Sequence, residues 1–210
     1  MIFMRHRSSK AFTLIEVLVV ITIIAILAGL IVGLANRAGE TKRVKRTEAM
    51  HAELVTAIVD YQQTIGSYPP DNPNNAAQPP LFYELTGTVL DGSDFKTKVG
   101  NERLPTGDVP TFFGRDGFQN ASLEAASVKS FFKQLKPDRY GQISTSPSVQ
   151  LFVVGVQGPS DVADAGRPGK TLNPWRYVST NPTNNPEGFD LWAEITVGGK
   201  TKVIGNWKGK

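Results

Sequence analysis

The stretch that decides the reading is Lys10-Ala11-Phe12-Thr13-Leu14-Ile15-Glu16, followed by an apolar run from Val17 to Leu34 without a charge. A secretory signal peptide runs basic residues, a short apolar core, then a small-residue cleavage site. Here the small residue, Ala11, precedes the apolar core. Residues 12–34 number 23, enough for a helix to cross a ~30 Å hydrocarbon layer at about 1.5 Å per residue. The order of the parts therefore predicts a cut between Ala11 and Phe12 that leaves the apolar helix on the mature chain.

Glu16 sits only four residues into that span. A carboxylate in hydrocarbon is costly and needs a partner, and the span holds no cation of its own. Cleavage after Ala11 would create one, the α-amino group of Phe12, and stacked helices with an axial offset would bring a neighbour's amine to Glu16. The other reading has Glu16 snorkelling to the interface. Ala25, Gly29 and Gly33 form a small-xxx-small ladder that would let such helices approach closely. Membrane helices are also rich in small residues in general, so composition alone accounts for the ladder equally well.

This N-terminus resembles type IV prepilins and the pseudopilins of type II secretion: a short basic leader with Arg5, Arg7 and Lys10, a small residue, then Phe-Thr-Leu-Ile-Glu and an apolar helix. Ala11 stands where that family usually has Gly. The resemblance implies cleavage by a prepilin peptidase after Ala11, N-methylation of Phe12, and contact of Glu16 with an adjacent subunit's amine. It also implies a leader inside the cell and everything after the span outside the inner membrane. Counting positive charges gives the opposite orientation, because Arg37, Lys42, Arg43, Lys45 and Arg46 follow the span.

Charge and composition exclude several classes. The formal net charge is +4, but residues 47–210 hold 15 Lys+Arg against 17 Asp+Glu, so the bulk of the chain is not a polyanion binder. The basic cluster at 37–46 reads as a solvated or headgroup-facing collar, with DNA as the other option. Arg115, Lys129, Lys133, Lys136 and Arg139 are scattered among carboxylates, so nucleic acid is not an expected partner. Cysteine is absent, which excludes disulfides, thiolate nucleophiles and Cys-ligated zinc. The mature chain would keep one histidine, His51, on a helix and not in a pocket-forming loop. It reads as an exposed or packing-edge residue. No catalytic residue, cofactor or metal is expected, and the chain reads as a structural subunit and not an enzyme.

Beyond the collar, Met50, Leu54, Ile58, Tyr61 and Ile65 make one apolar stripe, with Glu53, Thr56, Asp60 and Gln63 turned away. A helix from Phe12 to Ile65 would end at Gly66, before Pro69-Pro70. Residues 67–80 read as a proline-rich loop, Pro80–Leu85 as a helical turn, and 86–119 as irregular. A second helix is expected over Ala121–Lys136, burying Leu123, Val128, Phe131, Phe132 and Leu135. Strands are expected at Val149–Val156, Trp175–Ser179, Phe189–Val197 and Lys202–Trp207, with Gly198-Gly199 turning the last hairpin.

The expected class is α+β: a long N-terminal helix packed on a C-terminal antiparallel sheet. The organisation is leader 1–11, filament-core helix 12–34, amphipathic extension 35–66 and an extracytoplasmic domain 67–210 with an enlarged 71–172 region.

Tyr68-Pro69-Pro70, Asn173-Pro174-Trp175, Phe189-Asp190-Leu191-Trp192 and Ile204-Gly205-Asn206-Trp207 resemble pieces of the major pseudopilin of type II secretion. That family carries acidic calcium ligands before its last strand. This chain reads Thr196-Val197-Gly198-Gly199-Lys200-Thr201-Lys202-Val203 there, without a carboxylate, so the site is not carried over; Asp161 and Asp164 would be the alternative ligands. The resemblance implies self-assembly with other pilin-like subunits, a prepilin peptidase and an inner-membrane assembly platform as partners. A minor or competence-type pilin binding DNA, a surface or an exported protein is the rival reading. An anchored hydrolase is a second rival, opposed by the histidine and cysteine counts.

Overall fold

The computed structural model describes residues 12–132 and 135–207, and within helix α1 the side chains of 30–36 lie outside that description. The leader, with Ala11, lies outside the described residues as well. The architecture is α+β and pilin-like, and the chain divides into two compact units, Met1–Lys42 and Arg43–Lys210.

Helix α1 (Leu14–Ile65) contributes to both units. In the first unit its apolar side chains from Leu14 to Leu27 are exposed. Among the described residues no helix is long and apolar enough to cross a membrane; the side chains of 30–36, which complete the apolar run, are not among them. In the second unit the stripe packs as the periodicity predicts: Met50, Leu54, Ile58 and Tyr61 are buried and Ile65 packs against the core. Glu53, Thr56, Asp60 and Gln63 are exposed. Gly66 ends the helix at φ 95°, its N–H donating to Gln62 O at 2.9 Å. That left-handed conformation suits glycine, which has no Cβ to clash.

The proline-rich loop leads into α2 (Leu81–Thr86), all of it buried. Gly87 then turns at φ 75°, where an added Cβ would lie 2.4 Å from Lys129 O, so no larger residue fits. Within residues 86–119, expected to be irregular, three strands form, and with Ala121–Ser122 they build a small sheet: β1 (Thr88–Asp91), β2 (Asp94–Thr97), β3 (Arg103–Pro105) and β4 (Ala121–Ser122), in the order β3-β2-β1-β4. β4 runs parallel to β1 and the other pairs are antiparallel. A short helix, α3 (Val109–Phe113), precedes β4.

The second helix expected over Ala121–Lys136 does not form. Ala121 and Ser122 pair with β1. Beyond them, partners outside the segment take the backbone groups that a helix would use. The Asn120 amide brackets Lys129, donating to its O at 2.7 Å and accepting from its N–H at 3.2 Å, and Phe131 N–H donates to Leu85 O at 2.8 Å. Leu123, expected inside, is exposed; Val128 is buried, and Phe131, Phe132 and Leu135 are half-buried.

A second sheet has the order β5-β6-β8-β7, from β5 (Tyr140–Thr145), β6 (Ser148–Val154), β7 (Val162–Ala163) and β8 (Thr171–Pro174). β6 is the expected buried strand; its partner β5 carries no apolar run and was not foreseen. The third sheet, β11-β10-β9, is antiparallel, from β9 (Arg176–Val178), β10 (Asp190–Val197) and β11 (Lys200–Gly205). Gly198 and Gly199 turn its hairpin at φ 57° and 72°, the positive-φ pair that a tight two-residue turn needs.

The four motifs, separate in sequence, pack around this third sheet: Asn173-Pro174 end β8 of the second sheet, and Asn173 Nδ2–H donates to Glu194 O of β10 at 2.7 Å. Tyr68 packs on Phe189 with ring centroids 5.2 Å apart, and Tyr177 OH donates to Pro69 O at 2.8 Å. Asn206 accepts from Leu191 N–H at 2.9 Å and donates to Phe189 O at 2.7 Å. Trp192 and Trp207 pack edge to face at 5.8 Å. Trp175 is fully buried, its ring 5.6 Å from that of His51.

Candidate assembly site at the helix N-terminus

Thr13 and Glu16 build the start of α1. Thr13 N–H and Thr13 Oγ1–H both donate to Glu16 Oε2 at 2.8 Å, and Glu16 N–H donates to Thr13 Oγ1 at 3.3 Å. This is a capping box: a Thr just ahead of the helix and a Glu three residues on satisfy each other's free N–H groups. The Thr-x-x-Glu spacing could have revealed it from sequence alone. Both Thr13 bonds go to one carboxylate oxygen, and among the described residues none is made to Glu16 Oε1.

Among the described residues, the apolar side chains at this helix start are exposed. Phe12 is 82% exposed, Leu14 85% and Ile15 68%. At Gly29 an added Cβ would meet nothing within 4 Å, so among the described residues this rung of the small-residue ladder has no partner. The side-chain environment of Gly33 lies outside the described residues, as does Ala11, so the scissile bond has no described geometry.

Residues 6–32 match the family described as the prokaryotic N-terminal methylation motif. The chain is type IV pilin-like. It carries a prepilin-type leader, and the match covers the small residue, Phe12, Glu16 and most of the apolar run. No curated protein and no solved structure matches the chain.

Elsewhere in this pilin-like chain, the ionisable groups read as structure. His51, expected at an edge, is buried: its Nε2–H donates to Leu191 O at 3.1 Å, and burial pushes its pKa down against that bond. Glu84 is fully buried and accepts from Tyr61 OH at 2.8 Å, Gln119 N–H at 2.8 Å and Asn120 N–H at 2.9 Å. Burial raises its pKa, and those donors work against the rise. Nothing in the sequence singled Glu84 out, since the partners that reach it on α2 come from α1 and the 119–120 loop.

Among the described residues no group of three or more His, Cys, Asp or Glu side chains is placed to hold a metal ion. Asp161 accepts from Gly158 N–H and Thr171 Oγ1–H, and Asp164 pairs with Arg167 at 2.6 Å.

Proposed function

We propose that the chain is a structural subunit, a pseudopilin, of a type II secretion filament. Held in the inner membrane by residues 12–34, with its leader cytoplasmic, it would be cut between Ala11 and Phe12 by a prepilin peptidase and methylated on Phe12. An inner-membrane platform would then add it to a filament of pilin-like subunits, with residues 67–210 on the extracytoplasmic side. Ala25, Gly29 and Gly33 would let neighbouring helices approach, and Glu16 would meet the Phe12 amine of an adjacent subunit.

The observation that carries this reading is Glu16. Its carboxylate closes the first turn of a helix whose apolar side chains are exposed, and it does so through one oxygen. The other oxygen can accept an ammonium without uncapping the helix. The four motifs that resemble the major pseudopilin favour secretion over a pilus, and they pack around β9–β11 and the adjoining end of β8.

The sheet β1–β4, inserted in the enlarged 71–172 region, favours a second reading: a minor or competence-type pilin that uses this sheet to bind DNA, a surface or an exported protein. Deleting the gene in its host separates the two. Loss of protein export with DNA uptake and surface pili unchanged supports the secretion reading; loss of uptake or pili with export unchanged overturns it.

A further inference from the structure

An open groove of about 410 Å³ lies on the second unit between α1 and the 131–132 segment. Its floor is Phe131 and Phe132, its wall Ala52 and Ala57, and its rim Glu53 and Asp60. The floor is held in place: Phe131 packs on Tyr61 with centroids 5.2 Å apart, and Phe132 on Phe152 at 5.2 Å. Arg139 engages Glu53. Asp60 is exposed and carries no ion pair among the described residues.

A groove with an aromatic floor and a carboxylate on its rim suits a guanidinium, which stacks on the rings while pairing with the acid. Residues 37–46 hold five cations against one carboxylate, Glu40. Within that cluster Lys45 pairs with Glu48 and Arg46 with Asp138, whereas Arg37, Lys42 and Arg43 are exposed with no ion pair among the described residues; of these three, Arg43 alone belongs to the compact unit that carries the groove.

We infer that the groove receives Arg43 of a second copy of this chain, with Asp60 as its counter-ion. Arg43 and Asp60 are 17 positions apart on α1, roughly 25 Å along a helix, too far for one copy to pair them. They also lie about 100° apart around the axis at 3.6 residues per turn. Between parallel helices, the orientation that a shared membrane imposes, this offset joins two different surfaces head to tail and builds a ring or an open helical polymer, whereas antiparallel helices would make the pair twice and close a dimer. This inference rests on the assembly reading above and names a contact that would set the spacing of the extracytoplasmic domains.

The chain contains no cysteine, so introduced pairs report cleanly. In host cells that assemble filaments, a chain carrying both Arg43→Cys and Asp60→Cys should give a ladder of oxidised multimers. Each single variant alone should give none, and the two single variants co-expressed should give a dimer. Asp60→Arg should cut sheared-filament yield at least tenfold, with recovery on adding Arg43→Asp. Normal filaments without the ladder would overturn the inference and leave the assembly reading standing, as would crosslinking to a different protein. A wild-type chain that forms no filaments would remove both.

Discussion

Thr13 and Glu16 satisfy one another across the first turn of α1, with two donors from Thr13 converging on one oxygen of the Glu16 carboxylate. The residue expected to register neighbouring subunits thus already has a task inside its own subunit. Glu16→Ala removes both the cap and the counter-ion. It should leave membrane insertion and leader removal intact, since the span becomes more apolar, and abolish filaments. Thr13→Ala removes the hydroxyl but leaves the carboxylate; it should fray the first turn and retain filaments. Membrane fractionation combined with filament shearing reads both. Normal yield from Glu16→Ala would show that the carboxylate only caps and snorkels.

Leader removal has a mass signature. Co-expression with a prepilin peptidase should shorten the chain by residues 1–11 and leave N-methyl-Phe12 at its start. Intact-mass spectrometry measures it. A product beginning after residue 30 would mean an ordinary signal peptide was removed.

The Tyr61–Glu84 bond links α1 to α2 at 2.8 Å inside the core. Glu84→Ala should destabilise the chain by about 3–5 kcal/mol, because the Tyr61 hydroxyl and the N–H groups of Gln119 and Asn120 lose a shared acceptor. Tyr61→Phe removes one donor and should cost roughly 1–2 kcal/mol. Urea midpoints of the detergent-solubilised chain give both values; equal effects would refute the idea of a shared acceptor.

His51 supplies a pH dependence of known sign. Burial lowers its folded-state pKa, so its contribution is fully present above the unfolded value, about 6.5, and is lost as pH falls through the lower folded value. Glu84 works in the opposite direction: its raised pKa gives a contribution complete below the unfolded carboxylate value and lost as pH rises through the folded one. Comparing wild type with His51→Gln cancels the Glu84 slope. The variant should lose less stability than wild type between pH 7 and pH 5. Parallel curves would mean that His51 titrates alike in the folded and unfolded chain.

Calcium should leave stability unchanged. The last hairpin is closed by Gly198 and Gly199 at positive φ. At the opposite end of β10, the Asp190 carboxylate already accepts from the backbone N–H and side-chain amide of both Asn184 and Asn185, at 2.8–3.2 Å. Those donors occupy the lone pairs that a hard cation would need. A thermal midpoint that rises by several degrees in millimolar calcium, and falls with chelator, would contradict this.

The sequence by itself determined what depends on near neighbours along the chain. The spacing of Met50, Leu54, Ile58 and Tyr61 set the buried face of α1, because a helix repeats every 3.6 residues whatever surrounds it. Gly66 and Gly198-Gly199 ended the helix and turned the hairpin, since only residues without Cβ take those angles at no cost. The Thr13–Glu16 cap was equally local and legible.

Tertiary structure decided the rest. Residues 121–132 carry a helical apolar pattern, yet Asn120, just ahead of the segment, and the distant Leu85 claim backbone groups that a helix would use. Strand β5 forms because β6 offers it a ladder, and Glu84 is accommodated in the core because three donors from two distant segments, Tyr61 and Gln119-Asn120, converge on it. The groove beneath Asp60 exists for the same reason: Phe131 and Phe132 reach α1 only after the chain between them and Asp60 has folded back.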